Sequence, residues 1–243
     1  MLSGVRVALI SDLHGNELAL EAVLVDAKRA GYDELVCLGD VATLGPRPSA
    51  VLARLQDLGC RCILGNHDEF MIDAPLVRRY TESKLIVDSV DATREALSED
   101  ELAFIGTFAR TLDLGDDAFL FHATPRSNME DLLATTPDET VDEMLDGRRA
   151  RVLAGGHTHL QMLRQHRGMA IVNTGSLGAP FREYAFGGTP VILPHAEYAI
   201  IEVTPAVISV DLRRVALDSG ALVAQVDGWD NPLATGLRAM YAA

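Results

Sequence analysis

The chain has 243 residues, 48% of them hydrophobic, which is enough for one large α/β domain with a substantial core. Its net charge of −14 argues against long nucleic acid as a partner, because phosphate backbones are bound mainly by Lys and Arg. No apolar run nears the ~20 residues of a membrane span, and no basic leader with a cleavage site opens the chain. Three cysteines, Cys37, Cys60 and Cys62, sit among apolar neighbours, so buried thiols in a reducing cytoplasm are expected.

Val5 to Ile10 is apolar and β-branched, a predicted strand running into Ser11-Asp12-Leu13-His14-Gly15-Asn16. A helix is predicted from Glu17 to Ala30, with Leu20, Val23, Leu24 and Ala27 on one face and Gly31 as its stop. Glu34 to Leu38 reads as a second strand, ending in Gly39-Asp40. Pro46-Arg47-Pro48 then precedes a helix from about Ser49 to Leu58. A third strand, Arg61 to Leu64, ends in Gly65-Asn66-His67-Asp68. This alternation predicts a mainly parallel sheet with right-handed crossovers. In such sheets ligands collect beyond the carboxyl ends of the strands.

Residues 69 to 115 read as a helical excursion without a clear strand, with Ser98 and Glu101 forming a capping-box pattern. The sheet resumes at Ala118 to Phe121 and meets His122. A helix over about Pro137 to Leu145 leads to the apolar run Arg151 to Ala154, which closes on Gly155-Gly156-His157-Thr158-His159. The two glycines are expected to let the backbone turn tightly. Residues i and i+2 of an extended chain share a side, so both imidazoles can converge on one place. Ala170 to Val172 runs into Asn173-Thr174-Gly175-Ser176. Tyr198 to Val203 and Val207 to Leu212 read as an antiparallel hairpin, and the tail from Asp218 as one or two helices broken at Gly228 and Pro232.

Five of the seven histidines (His14, His67, His122, His157 and His159) thus lie just past apolar strands, beside Asp12, Asp40 and Asn66. Each acid or amide alone suits a cap or a turn. Their recurrence at the end of five strands points instead to one metal-binding constellation. His166 and His195 fall outside the pattern and read as structural or surface residues.

These residues resemble the calcineurin-like metallophosphoesterases. That family's Asp-x-His, Gly-Asp, Gly-Asn-His-[Asp/Glu], lone His and Gly-His-x-His occur here in order between Asp12 and His159. Thr93 to Ser98 and Asn173 to Gly178 are similar to segments of its short-chain bacterial branch. The resemblance implies an α/β (mixed α+β) fold, a four-layer αββα sandwich of two mixed β-sheets flanked by helices. Residues 1–243 would form a single domain with the excursion at 69–115. It also implies two divalent metal ions, one held by Asp12, His14, His159 and a bridging Asp40, the other by Asp40, Asn66, His122 and His157. Carboxylate, amide and imidazole donors suit Mn²⁺, Fe²⁺ or Zn²⁺, and the lack of a thiolate ligand disfavours a structural zinc site.

The implied activity is hydrolysis of a small phosphorylated substrate: a phosphodiester, a phosphomonoester or a dinucleoside polyphosphate. A metal-bridged hydroxide would attack phosphorus in line with the leaving oxygen. His67 has no metal to bind in that scheme. It is the candidate leaving-group acid, with Asp68 orienting its ring. Asn66, His67 and Arg126 are candidate substrate contacts, and Arg47 lies near a motif loop. The family often has Arg directly after a Pro where Phe181 here separates Pro180 from Arg182. The alternative is a catalytically weak metal- and nucleotide-binding regulatory or scaffold protein. The intact His67-Asp68 pair favours the enzyme. The sequence carries no signal of oligomeric state.

Overall fold

The computed structural model describes residues 4–115 and 117–242. Strand β1 (Arg6–Ile10) is buried from Val7 onward because both of its faces meet apolar layers. It pairs in parallel with β2 (Glu34–Cys37), and β2 with β3 (Arg61–Cys62). The other edge of β1 is covered antiparallel by β9 (His195–Val203), itself hairpinned to β10 (Ile208–Ala216). The first sheet therefore has the order β10-β9-β1-β2-β3. It is mixed, where the strand–helix alternation alone predicts mainly parallel pairing.

The second sheet has the order β4-β5-β6-β8-β7, made from Leu112–Asp113, Ala118–Leu120, Val152–Gly155, Met169–Asn173 and Met162–His166. Its centre, β5-β6-β8, is parallel and both edges are antiparallel. The face-to-face layer between the sheets joins Val7, Leu9, Val36 and Leu38 to Leu120, Val152, Ala154 and Val172. Alternate residues, Ala8 and Ile10, turn to the other side. There they meet α1 (Glu17–Ala30) and α2 (Pro48–Asp57) through Leu20, Val23, Leu52 and Leu55. On the far side α7 (Asp138–Leu145) sets Val141 and Leu145 against Phe119, Phe121, Leu153 and Ile171. These are the four layers αββα, each fully buried Leu, Ile or Val contributing roughly 1.5–3 kcal/mol of transfer free energy.

The segment after β3 is helical from Asn66: α3 (Asn66–Ile72), a 3₁₀ turn (Ala74–Leu76), α4 (Val77–Tyr80), α5 (Lys84–Ala96) and α6 (Glu99–Ile105). Ser98 caps α6 as its pattern predicts, donating its N–H to Glu101 at 2.7 Å and accepting the Glu101 N–H at 3.3 Å. Two strands differ from expectation. β4 lies at the end of the stretch that reads as helical, and the sequence predicts no strand at β7. β7 is an edge strand with Leu163 and Gln165 exposed, so it lacks a continuous apolar run. The chain closes with α8 (Ser219–Val226) and α9 (Ala234–Ala242), whose Leu222, Val226, Leu237 and Tyr241 form their own cluster.

Candidate metal centre

The loops after β1, β2, β3, β5 and β6 all leave the carboxyl ends of adjacent strands, so their polar residues meet across the gap between the sheets. Asp12, His14, Asp40, Asn66, His122, His157 and His159 are all buried, each at most 8% exposed. Their donor atoms fall into two groups that could each hold a metal ion, Asp12 with His14 and His159, and Asp40 with His122 and His157. Asp40 Oδ2 lies between them, 3.5 Å from His122 Nε2 and 4.0 Å from His14 Nε2. Asn66 Oδ1 joins the second group, 3.0 Å from His122 Nε2 and 3.1 Å from His157 Nδ1.

Each carboxylate has one oxygen fixed by backbone and one turned inward. Asp12 Oδ2 accepts the His157 N–H at 3.0 Å, and Asp40 Oδ1 accepts the His67 N–H at 2.8 Å. The inward Asp12 Oδ1 is buried without a hydrogen bond, although His159 Nε2 stands 3.3 Å away. The imidazoles are arranged likewise. His14 Nδ1 donates to the Thr43 carbonyl (3.1 Å), His122 Nδ1 to that of Leu38 (2.8 Å) and His159 Nδ1 to that of Ala179 (2.7 Å). His157 turns Nε2 to Asp131 Oδ1 at 3.4 Å. These outer partners assign the protons outward and the lone pairs inward. In those neutral tautomers His14 Nε2 and His159 Nε2 face each other at 3.1 Å with both lone pairs inward, the arrangement that a bound cation would take. Two acceptors and an orphaned carboxylate oxygen at that spacing fit a cation, and the oxygen–imidazole donor set suits a first-row divalent ion.

Without a cation the histidines divide. Burial pulls His14 down to about 3 and His67 to about 4. Burial also opposes charge on His122, but Asp40 outweighs it and lifts His122 to about 10. Burial would raise Asp12, yet His159 holds it at about 2. Charge is thus shared unevenly among groups in contact.

Local strain marks the same residues. Asp12, His14, Asp40, His157 and His159 take φ of 54°, 46°, 57°, 70° and 59°, the left-handed region that non-glycine residues rarely adopt. The glycines of the Gly155-Gly156 pair have ordinary φ, so the tight turn expected of them falls on the histidines instead. Gly156 is needed for space, since a Cβ there would strike the Ser11 and Asp12 side chains, as one at Gly65 would strike Asp40. The Asn173–Gly178 segment braces both loops: Asn173 Nδ2 donates to the Gly156 carbonyl, and Ser176 Oγ to that of Asp12 at 2.8 Å.

His67 lies beside the group with its ring edge-on to His14, centroids 5.3 Å apart. Its Nδ1 meets Thr43 Oγ1 at 2.8 Å. The expectation that Asp68 orients this ring is corrected. The Asp68 carboxylate instead accepts three backbone N–H groups, from Asp40 (2.8 Å), Val41 (2.9 Å) and Gly65 (2.9 Å). As the third residue of α3 it faces back along the chain and ties two loops together. The Arg126 guanidinium is engaged by Glu130 at 2.6–3.1 Å, and Arg47 sits at the start of α2. Phe181, the residue that displaces Arg182 from Pro180, stacks on His159 at 4.3 Å. His166 pairs with Asp142 and His195 with Glu197.

Sequence reasoning passes over Thr43, Asp131 and Tyr80. Tyr80 stands 6.2 Å from the His67 ring. Its hydroxyl is pushed up to about 12 by burial and by Asp40, Asp131 and Asp12. None of the three belongs to a recurring pattern; only their nearness in the fold reveals them.

The two sheets and their paired acid–imidazole groups define an αββα protein with a candidate dinuclear centre. Residues 5–195 match the calcineurin-like phosphoesterase superfamily domain, and the chain belongs to that superfamily. It is 26% identical to an uncharacterized protein of Methanocaldococcus jannaschii over 174 residues, 70% of this chain and 69% of that protein. A metallophosphoesterase from Sphaerobacter thermophilus shares the fold with a TM-score of 0.76 at 24% identity, covering 98% of this chain and 99% of that one. A hypothetical protein from Pyrococcus horikoshii does so with a TM-score of 0.79 at 18% identity, covering 98% and 97%.

Proposed function

We propose that the protein is a metal-dependent hydrolase of small phosphate esters, a single-domain enzyme of a reducing cytoplasm. The observation that supports it is the place of Asp40, whose Oδ2 lies within 4.0 Å of imidazoles from both groups. A shared carboxylate offsets the repulsion of two cations held close together. Asp12, His14, His159 and Asp40 would hold one ion, and Asp40, Asn66, His122 and His157 the other. Two divalent ions bound there supply Lewis acidity, a nucleophile from water at neutral pH, and the positive charge that a phosphate needs on an acidic protein.

The chain's own residues do the rest. Thr43 takes His67 Nδ1, leaving Nε2 to a substrate. Burial keeps the ring neutral, at about 4, until the negative charge of a phosphate favours its imidazolium form. Nε2–H is then the proton given to the leaving oxygen. Tyr80, whose ring lies 6.2 Å from that of His67 and whose hydroxyl meets the Asn66 side chain, stands beside it.

Elemental analysis after mild reconstitution should find close to two ions per chain, with turnover of a generic aryl phosphodiester. Asp40→Asn should damage turnover more than Asp12→Asn, since it disturbs both ions at once. A ceiling of one ion that Asp40→Ala still binds normally would end the dinuclear reading.

A further inference from the structure

A cavity of about 770 Å³ opens directly beside the candidate centre, with His14 and His159 in its wall. That volume is in the range of small-molecule sites, roughly 300–1,000 Å³. Three stretches distant in sequence build it: the start of α5, the loop from Gly178 to Ile192, and α9. Leu85, Ile86, Ile192, Leu237 and Met240 give it an aliphatic lining. Although 23% of the chain is Asp, Glu, Lys and Arg, none of these lines the cavity among the described residues. Its polar groups are partly spoken for: the Tyr241 hydroxyl is held by Asn16 at 3.3 Å, and Thr81 Oγ1 accepts the Ser83 N–H at 3.1 Å. The Phe181 ring, stacked on His159, also lines the cavity.

Resting on the phosphoesterase reading above, we propose that this cavity receives the organic group of the substrate and that this group is an aliphatic chain. The substrate is then an amphiphilic phosphate ester, with its phosphate at the histidines and its alkyl part between α5, α9 and the 178–192 loop. A second phosphate would fit badly, because a charge moved there finds no cation and loses its water. That separates this substrate class from the dinucleoside polyphosphates.

The metal-loaded full chain is titrated calorimetrically with methyl-, butyl- and octylphosphonate, which are not hydrolysed. Each buried methylene is worth up to ~4-fold in affinity. Octylphosphonate should therefore bind at least ~10²-fold tighter than methylphosphonate, with a more negative heat-capacity change. Methyl and octyl p-nitrophenyl phosphodiesters should differ in KM far more than in kcat. Leu85→Asp and Met240→Asp, at partly exposed positions, should collapse the octyl-to-methyl ratio, and thermal melts check that both variants remain folded.

Methylphosphonate binding with a flat chain-length series would overturn the aliphatic assignment while leaving the phosphoesterase reading intact. So would an octyl preference that both variants retain, since the chain would then bind elsewhere. Failure to bind any phosphonate, together with no turnover of the methyl diester, would instead remove the phosphoesterase reading, and the inference with it.

Discussion

Asp68→Asn should loosen the fold itself, in the absence of metal, before it affects chemistry. The carboxylate is fully buried and accepts the N–H groups of Asp40 and Gly65 on one oxygen and of Val41 on the other. An asparagine oxygen can keep the first two, but its NH₂ then faces the Val41 N–H, donor against donor. One buried N–H left unsatisfied costs about 1–3 kcal/mol. Removing the charge acts the other way, since burial and Asp40 together push Asp68 up to about 7. The net cost of Asp68→Asn should therefore lie near the low end, about 1 kcal/mol.

Asp68→Ala removes the same charge but leaves all three N–H groups bare, so the difference between the two variants isolates the hydrogen bonds. Two further orphaned donors put Ala at least about 2 kcal/mol below Asn. Urea titrations followed by circular dichroism, with chelator present, measure both. Equal stability of wild type and Asp68→Asn, with a rate defect confined to poor leaving groups, would refute this account. Asp68 would then act through His67 after all.

Asp131→Asn should weaken metal affinity by ~10–100-fold while leaving the chelated fold nearly unchanged, because Asp131 orients His157 from outside; competition with a metallochromic chelator reads this. His67→Ala should keep both ions and lose ~10²–10⁴-fold on alkyl or nucleoside esters, with a smaller loss on p-nitrophenyl esters that depart unaided. Uniform loss would mean that His67 only holds the phosphate. In chelator, the centre's histidines should make stability peak somewhat below 6.5, the ordinary histidine value, because Asp68, raised to about 7 by burial and Asp40, keeps a proton that the unfolded chain releases and so opposes the acid arm without reversing it. His14 and His67, held by burial at about 3 and 4, refuse protons that the unfolded chain accepts, so their contribution falls as pH drops from 6.5 through those values. His122, raised to about 10 by Asp40 against burial, keeps a proton that the unfolded chain releases, so stability also falls as pH rises from 6.5 towards 10. Urea midpoints at about pH 5, 6.5 and 8.5 check both arms, and a monotonic trend would refute it.

Much of the architecture was legible because buried strands are short, apolar and followed at once by their functional residues. Ile10 is two residues from Asp12, Cys37 three from Asp40, and Gly155 two from His157. Strand β7 is hard to read from sequence because an edge strand with one wet face carries little apolar signal. The available clue was Arg167-Gly168, both at positive φ, a two-residue hairpin turn before Met169. The start of α3 at Asn66 was also hidden, and with it the direction of the Asp68 side chain. The outer partners of His14, His122 and His159 are backbone carbonyls, which any residue type would supply. No pattern of side chains can announce them.

The candidate centre is also where the fold is least at ease. Five of its seven residues hold left-handed backbone, each at a cost of order 1 kcal/mol or more. The buried, unsatisfied Asp12 oxygen adds to this. The sum is comparable with the whole stability of an ordinary domain, about 5–15 kcal/mol. What sustains the geometry is the doubly covered β1, whose apolar residues are buried on both faces, and the Asn173–Gly178 brace behind the loops. A cation that binds only the folded chain would return stability in proportion to its affinity. The loops that hold the ligands should therefore be the first parts to open when metal is withdrawn, and the two-sheet core the last.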